Sequence, residues 1–117
     1  MTSRATARTL HPVQVRVSLL YVDDCPNRQL AGGRLAEALR RVRKPDQHVE
    51  HRIIATDEEA QAARFRGSPT ILIDGEDPFE GDVTGPFGLS CRVYRSDTGL
   101  TGSPTVDELV AVLQARA

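Results

Sequence analysis

The sequence predicts an α/β domain built on a four-stranded mixed sheet flanked by helices, with elements in the order β-α-β-α-β-β-α. Three observations carry that expectation. Residues 13–22 alternate and then become continuously apolar, as a strand does on entering a sheet covered on both faces. The next stretch repeats apolar residues at helical spacing and ends at a proline turn before a second β-like run, giving a strand–helix–strand unit. The last stretch opens with Pro104-Thr105 and acidic residues and continues as an amphipathic helix.

In order, the first helix is expected over about residues 28–43, with Leu30, Leu35, Leu39 and Val42 on its inner face and arginines outside. Pro26 suits its first turn, where a missing N–H costs nothing. Residues 43–47 (Arg-Lys-Pro-Asp-Gln) stop that helix, and residues 49–54 form the second strand, with Val49, His51 and Ile53 on one face. Thr56 and Glu59 have the spacing of a capping box at the start of a short second helix, for which Gly67 is the expected C-terminal cap. Ile71-Leu72-Ile73 is the third strand and Asp74-Gly75 a turn. Residues 75–89 read as a long loop, whose Phe79 and Phe87 either cover the site or pin the loop to the core. Residues 91–95 alternate as a fourth strand, placing Leu89, Cys91 and Val93 on one face. A turn-rich loop, residues 96–103, precedes the last helix.

At 117 residues the chain has the size of one domain, expected over residues 13–117 behind a flexible tail of residues 1–12. A net charge of −1, without a single-sign block, gives no electrostatic footprint for nucleic acid. No apolar run approaches the ~20 residues of a membrane span, and the arginine-bearing N-terminus lacks the apolar core of a signal peptide. Two cysteines in that setting point to reduced thiols in a cytoplasm rather than to a disulfide framework. His11, His48 and His51 have no cysteine near them at zinc-ligand spacing, and Gly32-Gly33 lies inside a helix rather than in a phosphate loop.

The chemistry gathers at Tyr21-Val22-Asp23-Asp24-Cys25-Pro26-Asn27, where the first strand meets the first helix. A cysteine at a helix start sits where unpaired N–H groups and the positive end of the helix dipole favour its thiolate. Element order, this cysteine and the Ser68-Pro69-Thr70 tripeptide before the third strand together resemble the thioredoxin-like family, over residues 13–113. The resemblance implies a cis Ser68–Pro69 bond facing Cys25. It also implies that the backbone around Ser68, Pro69 and Thr70 binds a substrate's sulfur-bearing segment. Asp24 and Pro26, on either side of Cys25, complete the candidate substrate-binding set.

Arg28 stands where that family places its second motif thiol, which removes exchange within the motif. Its charge either favours the Cys25 thiolate and pairs with an anionic partner, or is simply solvated, and Asp23 and Asp24 act in the opposite direction. Cys91 is either a buried, inert core cysteine or is carried back to the site by the long loop. Cys91-Arg92-Val93-Tyr94, with Ser103-Pro104-Thr105 beyond it, resembles the surroundings of one catalytic cysteine of alkylmercury lyases, and Tyr21-Val22 before Cys25 those of the other. Those enzymes carry a carboxylate at the position of Arg28, so here Asp23 or Asp24 would have to act as the acid. The Asp-Asp-Cys-Pro-Asn and Gly-Leu-Ser-Cys-Arg runs are similar to those of short thioredoxin-like proteins, some with selenocysteine in place of the first thiol.

The expected function is therefore that of a thiol-based redox protein. Cys25 acts as nucleophile on a disulfide, peroxide or other soft electrophile, and Cys91 and Arg28 complete the catalytic set. One alternative is organomercurial handling, in which Cys25 and Cys91 would hold the metal; the other is a non-catalytic binding module using the Pro69 groove. No cofactor and no resident metal are expected. The partners are a low-molecular-weight thiol or a protein disulfide, with neither nucleic acid nor membrane. The residues do not disclose an oligomeric state.

Overall fold

A computed structural model describes residues 15–80, 87–96 and 99–115. The expected N-terminal tail, Val13 and Gln14, and residues 81–86 of the long loop lie outside them. The elements are β1 (Val17–Tyr21), α1 (Arg28–Arg41), β2 (Val49–Ile53), α2 (Asp57–Ala63), β3 (Thr70–Ile73), β4 (Tyr94–Ser96), β5 (Gly99–Thr101) and α3 (Val106–Ala115).

The main sheet has three strands in the order β2-β1-β3, parallel between β1 and β2 and antiparallel between β1 and β3. β1 is central because its side chains are apolar on both faces. Val17, Leu19 and Tyr21 face a cluster with Leu35, Leu39, Leu109 and Leu113 of α1 and α3. Leu20 faces Ile54, Ala60 and Phe65, under α2. The sheet is thus mixed, as expected, and is covered at β1 and β3, while β2 is largely exposed; it is not four-stranded.

The expected fourth strand is the correction. Strand geometry begins only at Tyr94, and β4 pairs antiparallel with β5 in a separate two-stranded ribbon. The alternation of residues 91–95 is real, but its polarity is reversed: Arg92 and Tyr94 are the buried pair, each 3% exposed, whereas Leu89 and Val93 are 43% and 55% exposed. The reading of Cys91 as a buried core cysteine falls with it, because its side chain is exposed. The cause is a buried ion pair between Arg92 and Asp77, which satisfies the charged face of the segment inside the protein.

Caps follow local chemistry more closely. Thr56 and Glu59 form a complete capping box on α2, and Thr105 and Glu108 exchange the same two bonds at α3. α1 ends in a Schellman arrangement, with Lys44 N–H reaching Leu39 O and Arg43 N–H reaching Arg40 O, although Arg43 rather than glycine adopts the left-handed conformation. Gly67 does not cap α2; Arg64 does, at φ 55°. Asp74 and Gly75, both with positive φ, make the tight turn after β3, closed by paired bonds between Ile73 and Glu76.

Candidate functional site

α1 starts at Arg28, so Pro26 lies ahead of the first helical turn rather than in it, and Asn27 is the N-cap residue. Asn27 makes no capping bond with its side chain, which instead lies flat on Gly102: a Cβ there would come within 2.3 Å of Asn27 Nδ2. Arg34 secures the same contact two turns on, donating to Thr101 Oγ1 at 3.1 Å and to the carbonyls of Ser103 and Pro104. The loop between β5 and α3 is therefore seated on the beginning of α1, beside the cysteine turn.

Within that turn, Asp24 has φ 68°, and Cys25 N–H donates to Val22 O at 3.2 Å. Cys25 is half-buried and packs against the cluster shared by β1, α1 and α3. Asp23, Asp24 and Pro26 are exposed. Arg28 is exposed too and stacks over the Tyr21 ring, its guanidinium carbon 4.5 Å from the centroid. No ion pair among the described residues involves Asp23, Asp24 or Arg28.

The Ser68–Pro69 bond is cis. Ser68, 1% exposed, has every polar group engaged within the fold. Its Oγ accepts from Val22 N–H at 3.1 Å, which ties it to the strand end leading to Cys25. Its N–H donates to Ser90 O at 2.7 Å and its carbonyl accepts from Arg92 N–H at 3.0 Å. These two bonds form a parallel bridge that sets Cys91 directly beside Ser68. The Pro69 carbonyl accepts from the Tyr94 hydroxyl, and Thr70 Oγ1 donates to Gly67 O at 2.6 Å.

Cys91 opens onto a groove of about 350 Å³ whose other lining includes Val22 and Asp23 at the end of β1, Ile54 and Ala55 at the end of β2, and Leu89. Crevices beyond the carboxyl ends of parallel strands are where open α/β sheets take ligands. The two thiols are free and approach the same strand end from different sides: Cys25 packs on the α1/α3 cluster, while Cys91 shares its groove with residues of the α2 side.

Sequence reasoning missed the group that holds Cys91 there. Arg92 Nη1 donates to Asp77 Oδ2 at 2.6 Å and to Thr70 Oγ1 at 3.2 Å. Its Nη2 donates to Phe79 O at 3.0 Å and, at 3.4 Å, to Asp77 Oδ1. Only its Nε lacks an acceptor among the described residues. The guanidinium also stacks on the Tyr94 ring at 4.5 Å, and Phe79 meets the same ring edge-on at 5.8 Å. Burial drives the Tyr94 phenol well above its ordinary range; the Arg92 charge opposes this, and the charges of Asp77 and Cys25 reinforce it.

Phe79 packs against the larger cluster, on which Cys25 also packs, and the guanidinium carbons of Arg64 and Arg66 lie 5.2 and 4.8 Å from the Phe87 ring centroid. His51 meets the Tyr21 ring edge-on, and His11 lies outside the described residues. Among the described residues no three His, Cys, Asp or Glu side chains are grouped to hold a metal ion, and no helix is long and apolar enough to cross a membrane. Comparison with family models, curated proteins and solved structures finds no match to this chain.

Proposed function

We propose that this chain is a thiol-based redox protein of thioredoxin-like architecture, with Cys25 as nucleophile and Cys91 as the resolving thiol. One observation carries the reading: the parallel bridge from Ser68 to Cys91, with Ser68 also bonded to Val22, brings the second thiol's segment to the strand end that bears the first. The cis Ser68–Pro69 bond just before β3 and the β2-β1-β3 order around the central strand that leads to Cys25 support the architecture.

The steps are those of thiol–disulfide exchange. The Cys25 thiolate attacks one sulfur of a low-molecular-weight or protein disulfide, forming a mixed disulfide and expelling the other sulfur as thiolate. Cys91 then attacks Cys25 Sγ, expelling the remaining substrate thiolate and closing a Cys25–Cys91 disulfide. An external dithiol, or two monothiols, reduces that bond; the reducing pool of a cytoplasm supplies such thiols. The Ser68 N–H and carbonyl are already engaged by the protein's own segment, so the substrate is held at the exposed side of the Cys25 turn, beside Asp24 and Pro26. The organomercurial alternative likewise brings both sulfurs together, on one ion, and no observation favours it over exchange.

The test is to add one equivalent of an uncharged aromatic disulfide to reduced protein and count the thiol released per disulfide consumed. The wild type is expected to release two equivalents, and Cys91→Ser one, with the adduct trapped on Cys25. Cys25→Ser is expected to slow the first release at least about tenfold. An undiminished rate in Cys25→Ser overturns the proposal and leaves the fold as a binding scaffold.

A further inference from the structure

We infer that Arg92 is a positioning residue for the Cys91 thiol, an inference that rests on the exchange reading above. A guanidinium whose side chain is 1% exposed, paired with a carboxylate 8% exposed, adds little net stability over a well-packed apolar pair of similar volume. Its geometry does what an apolar pair cannot. From one side chain it reaches Thr70 at the start of β3, Asp77 and Phe79 in the following loop, and the ring of Tyr94. Its own backbone N–H holds the carbonyl of Ser68.

Cys91 is the adjacent residue and points the opposite way, so clamping Arg92 fixes where the thiol emerges into the groove. Gly67 serves the same contact. At φ +136° its Cα faces Arg92, where a Cβ would come within 2.8 Å of Arg92 Cβ. The short glycine lets the two backbones close up. Tyr94, two residues after Arg92, is anchored to the Pro69 carbonyl, and Ser90 O accepts from Ser68 N–H, so both sides of Cys91 are tied to the Ser68–Thr70 stretch.

The experiment separates positioning from charge compensation. The double variant Arg92→Met/Asp77→Leu removes both buried charges, and is expected to unfold near the wild-type midpoint. The Cys25–Cys91 disulfide is then equilibrated against a glutathione couple to give the effective concentration of one thiol at the other. The double variant is expected to lower it at least about tenfold. A value within about twofold of wild type, in a folded double variant, overturns the inference. Should that variant not fold, Arg92→Lys replaces it: lysine keeps the charge but cannot reach Asp77, Thr70 and Phe79 together, and the same loss is expected. If the wild type forms no such disulfide, the exchange reading fails, and positioning is read separately from alkylation of Cys91 by an uncharged reagent in a Cys25→Ser background. There a change of at least about threefold on breaking the clamp is expected, and an unchanged rate overturns the inference.

Discussion

The two cysteine segments are held at the same strand end by different means. The Cys25 turn is shaped mainly by local bonds, one backbone bond to Val22, a left-handed Asp24 and a helix that begins three residues later, with Ser68 Oγ on Val22 N–H and Gly102 under Asn27 as its distant supports. The Cys91 segment depends on residues far away in sequence, through Ser68, Thr70, Asp77 and Phe79, and most of those bonds converge on one arginine. A locally built turn survives loss of a distant side chain, whereas a segment hung on a buried network does not. The sharpest way to break the comparison is therefore to strike the network.

Asp77→Ala leaves Arg92 charged, buried and without its carboxylate, and is expected to cost about 3–5 kcal/mol in urea unfolding. Under conditions where the variant is still folded, Cys91 alkylation is expected to change while Cys25 alkylation does not. An equal change at both cysteines would show that the two segments are not independently held. Gly67→Ala comes next. It forces a strained φ on a residue with a Cβ and pushes against Arg92, for an expected loss of about 2–4 kcal/mol by the same measurement.

Tyr94→Phe removes the hydroxyl on the Pro69 carbonyl and should cost about 1–3 kcal/mol at neutral pH, by leaving that buried carbonyl unsatisfied. It also gives a pH signature. Burial raises the phenol's pKa in the folded state above its unfolded value near 10. The folded protein thus holds this proton more tightly, so the Tyr94 contribution is complete below the unfolded value and is lost as pH rises above it. Above ~pH 10 the wild type should lose up to about 1.4 kcal/mol per pH unit more than Tyr94→Phe, so the two stability curves converge. Parallel curves would show that the phenol titrates as in the unfolded chain.

The same contrast explains which parts of the fold were legible in the residues. The central strand, the body of the first helix and the capping box at Thr56–Glu59 depend on patterns within a few residues, and they stand where periodicity and capping chemistry put them, except that Leu30, expected on the inner face, is 38% exposed. The fate of residues 91–95 depended on whether Arg92 or Cys91 faced inward, and that choice rests on Asp77 fourteen or more positions away. Hydrophobicity alone favoured the Leu89, Cys91 and Val93 face, and the ion pair reversed it. The signal that could have warned of this was Arg92 itself, alternating with Tyr94 in a β-like run. The loss of a fourth strand from the main sheet has the same origin, because β4 turns into the ribbon with β5 instead of adding to β3.

Arg28 belongs to the local side of the comparison and carries the smallest expected stability effect. It is exposed and stacks on Tyr21, a contact worth about 0.5–1 kcal/mol at such a site, so Arg28→Ala should shift the unfolding midpoint only slightly. Its influence should appear instead in the choice of substrate. A guanidinium lying flat on a ring keeps its N–H edges free for a carboxylate, three residues from the Cys25 thiol. Arg28→Ala should therefore slow exchange with a carboxylate-bearing disulfide by about twofold to fivefold and leave an uncharged disulfide unaffected. Raising the salt concentration should close that gap, because the interaction is solvent-exposed. Equal slowing of both disulfides would assign Arg28 to the shape of the turn; no slowing of either would leave it as surface charge.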